Sequence, residues 1–433
     1  MVRLLLASVI PLCLFPALAQ DIQSPNPKQR AKAAKDLAKQ GSAAIPRLEA
    51  LLSDPVVEVR IEAVKSLVEI GTVRSLNPLI RATQDNDAEV QIRAADGLVN
   101  FYWPGYVQSG GISSSLRRVG GAIRARFGDA PEVVIDPFIE VRPEVIAALG
   151  KLVRGGVSMD SRANAARAVG VLRGRAALPD LYQGLRSKDD LLIYECLIAI
   201  QKIRDPSSGP HIQFLLRDLN ERVQVAAIET TGLLRNREAL KDLYSIVENP
   251  RTSRARKAAL DAIAQIPDEG NRPLLTRFLQ DRDDGLRAAA YEGLGRLNNP
   301  SDMAALEAGF AAEKKMNVRL AQAFGLVKLG KREFSEFSPL RYLVNTLNSR
   351  SWRGVASGYL VELAREASVR EVLHSVLSSG SKDEKIEVCR ILAQSGGADS
   401  VAPLEGLTKD PDAQVAQEAL RAVRSVRARI PKS

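Results

Sequence analysis

Histidine, cysteine and aromatic residues are all scarce in this chain. There are 2 His and 3 Cys in 433 residues, and Phe, Trp and Tyr together make up 5%. No cysteine cluster, glycine-rich phosphate loop or Gly-x-Ser-x-Gly elbow is present, and His211 and His374 stand too far apart in the repeat described below to share a site. No catalytic, cofactor-binding or metal-binding constellation is readable, so the expectation is a protein that is not an enzyme and carries no cofactor. After the first turn of sequence there is also no second apolar run long enough to span a membrane.

What the N-terminus does have is Arg3, then an apolar run from Leu4 to Leu18, then Ala17-Leu18-Ala19 before Gln20. A short charged start, an apolar stretch too brief for a comfortable span and an A-x-A site are the marks of a secretory signal peptide over residues 1–19. The alternative, a buried first helix, lacks polar residues to face water. Pro11-Leu12 before Cys13 does not supply the small residue of a lipoprotein site. The expectation is export to a periplasmic or extracellular space as a soluble protein. Lys and Arg number 61 against 51 Asp and Glu, a net charge of +10 that falls by one when Arg3 is removed. That excess points to an acidic partner, such as an acidic protein, a cell-wall polymer or an anionic membrane surface. Nucleic acid is not expected, since an exported protein rarely meets it.

The chain is organised around Asp54 to Gly71, DPVVEVRIEAVKSLVEIG. Asp54-Pro55 makes a turn, after which Val59, Ala63, Val64, Leu67 and Ile70 fall on one helical face and Glu58, Glu62, Lys65 and Glu69 on the other. Degraded copies anchored at the position of Arg60 begin at Arg30, Arg60, Gln91, Arg162, Ile193, Gln224, Ala255, Arg287, Arg319, Arg353, Lys385 and Ala416. Their spacings are 30, 31, 71, 31, 31, 31, 32, 32, 34, 32 and 31 residues. A period so constant is that of an array of stacked units. Three residues past the anchor stand Ala33, Ala63, Ala94, Ala165, Ala227, Ala290, Ala356 and Ala419, small enough for close helix packing. Between anchors lies a shorter pattern with proline near its start, as at Pro46, Pro78, Pro179, Pro273, Pro339 and Pro403, and proline is tolerated in a first helical turn. An acid or Asn six residues before many anchors, from Asp54 to Asp410, accepts from free backbone donors in the turn. Each unit is a helical hairpin.

A short helix with Pro-x-Leu, an Asp-Pro turn and then Val-Arg-x-x-Ala-x-x-x-Leu resembles the HEAT repeats, and the unit of about 31 residues looks most like the short, phycobilisome-lyase-like variety. The resemblance covers about residues 26 to 430. It implies an all-α protein, a right-handed α-solenoid of about eleven helical hairpins preceded by one N-terminal helix, with the Val-Arg helices on the concave face. It also implies a ladder between turn acid and anchor arginine, matching Asp54 with Arg60, Asp281 with Arg287 and Glu313 with Arg319, and broken at Ile193, Ala255 and Ala416. Deoxyhypusine hydroxylase, a repeat protein of similar shape, holds two irons through His-Glu pairs. His211 is followed here by Ile212 and His374 by Ser375, so that activity does not carry over. The lyase name concerns chromophore attachment, and an enzyme of that group is the remaining catalytic alternative.

Cys196 and Cys389 sit on the core faces of helices six anchors apart, roughly 50 to 60 Å at ~9–10 Å per packed helix, beyond any disulfide. Both read as small buried hydrophobes. The one break in rhythm, the 71-residue interval from Gln91 to Arg162, holds an insertion at about 102–141 within a solenoid over 20–433. It opens with Phe101, Tyr102, Trp103 and Tyr106. It continues through Gly110 to Ser115 and a basic stretch in which Ile112, Leu116, Val119, Ile123 and Phe127 alternate with Arg117, Arg118, Arg124 and Arg126. Those aromatics and arginines are the candidate partner-binding residues. Residues 112–127 serve either to attach the protein to an anionic membrane or cell wall or simply to cover an exposed repeat edge, with the arginines solvated. Two further basic clusters are Arg251, Arg254, Arg256 and Lys257, crowded at a helix start where the dipole disfavours cations, and Arg421 to Lys432 at the C-terminal cap. The reading is an exported, non-catalytic scaffold that binds a protein partner through its curved surface.

Overall fold

The computed structural model describes residues 22–107 and 133–430. Among these every regular element is helical, and the chain is an α-solenoid. Its contacts divide into two units. Unit 1 comprises 22–107 and 141–199, unit 2 comprises 133–140 and 200–430.

In unit 1 the chain runs α1 (Pro27–Leu37), α2 (Ile45–Leu51), α3 (Val57–Ile70), α4 (Leu76–Ala82), α5 (Ala88–Tyr102), α6 (Pro143–Gly155), α7 (Met159–Val171), α8 (Leu178–Gly184) and α9 (Asp190–Ile203), the last crossing the boundary. Unit 2 continues with α10 (Gly209–Ile212), α11 (Glu221–Leu233), α12 (Leu240–Glu248), α13 (Ser253–Gln265), α14 (Arg272–Phe278), α15 (Asp284–Leu297), α16 (Met303–Ala312), α17 (Met316–Lys328), α18 (Pro339–Thr346), α19 (Arg353–Leu363), α20 (Ala367–Ser379), α21 (Lys382–Ser395), α22 (Val401–Leu407) and α23 (Ala413–Arg429). Every odd-numbered helix carries an anchor residue. The even-numbered helices lie between anchors, and proline occupies the first turn of α2, α6, α8, α10, α14 and α18.

The odd helices stack on one another within each unit, α1 on α3, α3 on α5 and α5 on α7, and again α11 through α23. The alanine three residues past most anchors is why they come close: Ala63, Ala94, Ala165, Ala227, Ala290, Ala356 and Ala419 are all fully buried. Contact is closest between α15 and α17, where a Cβ on Gly295 would meet the Gly325 Cα at 2.5 Å. Only glycine fits that crossing.

Helix starts follow the turn acids. Six residues before the anchor, Asp54, Asp85, Asp218, Asp281 and Asp410 each accept from the backbone N–H two residues on, at 2.8–2.9 Å. Two residues further along, Asp87, Asn220, Asp283 and Asp412 are the N-caps proper, accepting from the first turn of α5, α11, α15 and α23. Several odd helices end on a left-handed residue eleven past the anchor. Gly71 suits that conformation, but Arg173, Arg204 and Arg235 occupy it too, at φ of 48°, 57° and 53°, each at a cost of about 1 kcal/mol.

The ladder exists, with a correction to its partners. Arg60 donates to the backbone oxygen of Asp54 at 2.9 Å, while its carboxylate partner is Asp85 of the following turn, at 2.8 and 2.9 Å. Asp54 is taken by Arg30 at 2.6 and 2.9 Å. In the same way Arg287 donates to the Asp281 oxygen and reaches Glu313, and Lys385 reaches Asp410. Glu313 is therefore the partner of Arg287. Arg319 instead lies between the rings of Phe310 and Tyr342, 4.9 and 4.8 Å from their centroids. The physical reason is reach: the anchor side chain points out of its helix toward the next turn, so its own turn offers only a backbone oxygen. At Ile193 and Ala255 the anchor side chains are buried hydrocarbon and make no such bond.

Candidate partner-binding site

Of the aromatics that open the insertion, Tyr102 is interior rather than displayed. It is 8% exposed, its ring meets Phe101 edge-on at 4.9 Å, and its hydroxyl accepts from the backbone N–H of Arg142 at 3.1 Å. That bond ties the end of α5 to the start of α6. Phe101, Trp103 and Tyr106 are half-buried. The chain after α5 folds back on it, since Val107 donates to the Asn100 side chain at 2.9 Å. Arg117, Arg118, Arg124 and Arg126 lie outside the described residues. Beyond them, residues 133–140 pack with unit 2. Val134 and Ile135 are buried, Lys202 donates to the Val133 oxygen, and Arg421 donates to both carboxylate oxygens of Asp136, at 2.9 and 2.8 Å.

A second ladder was not read from the sequence. The residue five past one anchor reaches the residue two past the next: Asn164 donates to Asp96 at 3.0 Å, Arg167 pairs with Glu195 at 2.5 Å, and Arg390 with Glu418 at 2.8 Å. In unit 2 the same surface of the odd helices holds a larger network. Arg296 pairs with Glu292 of its own helix and with Glu362 at 2.9 Å. Tyr359 donates to Glu292 at 2.7 Å, and Arg235 reaches Glu362 at 3.2 Å. Phe324 lies within it, stacked on Tyr359 at 4.7 Å and under Arg296 at 5.0 Å. Burial raises the Glu362 carboxyl, but Arg296 outweighs it and holds Glu362 below the usual carboxylate range. Asp261 has no such partner. Burial first and the neighbouring Glu292 charge second push it up to about 8, against the opposing pull of Lys257.

The groups that most often do chemistry are disarmed. Cys196 and Cys389 are fully buried and far from activation, burial pushing the Cys389 thiol up to about 12 and the Cys196 thiol higher still. His374 lies 2.9 Å from the buried Ser400 hydroxyl, and burial lowers its pKa. Among the described residues no three His, Cys, Asp or Glu side chains are placed to hold a metal ion.

A cleft of about 510 Å3 opens on the turns that lead into α13 and α15. Arg251, Arg256, Lys257 and Arg282 line it together with Asp281 and Asp283. Arg251 is fixed by donating to the Asp218 and Leu219 oxygens at 2.7 and 2.9 Å. Arg256 donates to the Val247 oxygen at 3.1 Å and covers the Phe278 ring at 5.2 Å. The basic cluster at the start of α13 is thus real in space, and Arg282 of the next turn joins it. A smaller opening of about 400 Å3 lies beside His374, Leu377, Pro403 and Leu407.

The family model of HEAT repeats matches residues 15–99 and 251–326. No curated protein matches the chain. Among solved structures, the complex of CpcE and CpcF of phycocyanin lyase from Nostoc sp. PCC7120 is 20% identical, covering 62% of this chain and 92% of that one at a TM-score of 0.36. YibA of E. coli is 14% identical over 68% of this chain and 94% of its own, at 0.40. Kap121p is 12% identical over 96% of this chain and 57% of its own, at 0.41. At such overlap these likenesses say nothing of what this chain binds. The anchored helices, their buried alanines, the ladder from turn to turn and the matched segments agree that the chain carries HEAT repeats.

Proposed function

We propose that the protein is an exported scaffold that binds an acidic protein partner and does no chemistry of its own. The observation that carries this reading is how the two signs of charge are used. Turn carboxylates such as Asp54, Asp85, Glu313 and Asp410 are taken by ladder cations and by backbone donors. Meanwhile Lys151, Lys188, Lys241, Arg254 and Arg282 are exposed, and no described carboxylate stands at ion-pair distance from them. Glu58, Glu69, Glu336 and Glu371 are likewise exposed without a described ion pair, so it is the net excess of +10 that favours an anionic partner. Export is supported by the apolar run Leu4 to Leu18 with Ala17-Leu18-Ala19 behind it. The disarmed thiols and His374 favour binding over catalysis.

The test is capture from a cell-envelope extract by residues 20–433 immobilised at low and high salt. The reading predicts a specific acidic protein retained at low salt and released as salt rises. Specific capture of nothing, or of a partner indifferent to salt, contradicts it.

A further inference from the structure

We propose that the cleft lined by Arg251, Arg256, Lys257 and Arg282 is where a carboxylate-rich, extended segment of the partner docks, which rests on the scaffold reading above. Arg251, Lys257 and Arg282 are exposed, and none is paired with a carboxylate, in contrast to the ladder residues Arg30, Arg60 and Arg287. The two aspartates in the lining do not neutralise them at contact distance. Asp281 is committed to the Asp283 N–H at 2.8 Å, and Asp283 to those of Gly285 and Leu286 at 2.7 and 3.1 Å.

Three features make this an arrangement for binding rather than a solvated charge run. The cluster is concave and of ligand size. Two of its cations are already held, Arg251 by two backbone oxygens and Arg256 by one oxygen and a ring, so little side-chain freedom is lost when they meet an anion. Finally, the cations crowd the first turn of α13, which is capped by Thr252 and has no acidic residue there. Positive side chains beside a helix N-terminus oppose the dipole, and an incoming carboxylate relieves that repulsion. An extended peptide fits better than a bilayer because the lining offers no exposed large hydrophobic side chain to insert: Leu286 is 6% exposed.

The probe is a fluorescent oligoglutamate peptide of about ten residues, read by anisotropy on full-length mature protein. Binding should weaken about tenfold or more in Arg251→Glu/Arg282→Glu, the scale of one or two lost charge-assisted contacts. The milder Arg282→Gln, which keeps the backbone contacts of that turn, should show the same direction. Lys188→Glu, an exposed reversal in unit 1, should leave binding within about twofold. Equal weakening by Lys188→Glu overturns the site in favour of diffuse attraction. Equal displacement of the peptide by inorganic phosphate or by phosphatidylglycerol vesicles overturns the choice of a carboxylate-rich peptide. If the cleft variant loses oligoglutamate yet still captures the envelope partner at full strength, the docking site is wrong and the scaffold reading stands. If the wild type captures no partner at all, the reading itself falls.

Discussion

Replacing Asp261 by Asn should make the protein's stability less dependent on pH, in a direction fixed by its surroundings. Asp261 lies on α13 and is faced by Glu292 from α15, Glu229 from α11, Asp283 from the turn before α15, and Lys257 from its own helix. Burial and the three carboxylates raise it to about 8, and Lys257 opposes them. The folded value is thus above the ordinary carboxylate value near 4, and the native state holds this proton over a range in which the unfolded chain has lost it. The contribution to stability is complete below pH ~4 and is lost as pH rises toward 8. At ~1.4 kcal/mol per pH unit the full difference is roughly 5 kcal/mol, and solvent reaching the half-buried carboxylate halves that to about 3 kcal/mol. Asn cannot ionise, so the variant and wild type should melt together near pH 4 and part progressively, with the variant the more stable above pH 8. Calorimetric melting at pH 4, 6 and 9 reads this. A gap between the two proteins that is the same at all three values refutes the placement of the proton on Asp261.

Four further outcomes follow from the packing. Arg60→Ala leaves Asp85, itself almost fully buried, without its cation, and should cost about 3 kcal/mol; Arg60→Ala/Asp85→Ala should cost less than the two single changes added together, measured by chemical denaturation. Gly295→Val drives side-chain atoms into the Gly325 backbone, so α15 and α17 must part at a cost of about 1–3 kcal/mol, seen as a lowered melting temperature with unit 1 unaffected in hydrogen exchange. Arg204→Gly relieves a left-handed arginine, partly offset by glycine's greater freedom in the unfolded chain, and should stabilise by roughly 0.5 kcal/mol. Arg421→Ala releases Asp136, and hydrogen exchange over 133–140 should rise while that of α21 does not.

Much of the fold was legible because a repeat states the same physics many times. The alanine three past most anchors, the proline in many intervening helices and the turn acid each recur where neighbouring helices must approach, start or turn. What the spacing could not say was which neighbour a side chain meets. Asp54 and Arg60 are six residues apart in sequence, which invited a pairing, yet the guanidinium of Arg60 reaches forward to Asp85. The second ladder was hidden for a different reason. Its rungs share a position but not a residue type, with Asn164 to Asp96 in one place and Arg167 to Glu195 in the next. The network of Arg296, Glu362 and Tyr359 joins α15 to α19 across an intervening repeat, a contact no local pattern encodes. At the candidate site the cluster at Arg251 to Lys257 was visible as cations misplaced against a dipole. The contribution of Arg282, a turn later, needed the structure.

The proposed docking cleft is tested most directly by crosslinking residues 20–433 to the proposed partner in a cell-envelope extract, with the crosslinked positions located by mass spectrometry and the experiment repeated without residues 104–140. The expected result is capture of the partner by both versions, with crosslinks gathered on the turns around Pro250 to Leu286. Capture only by the intact chain, with crosslinks confined to 104–140, contradicts it and makes the insertion the docking element and the solenoid its mount.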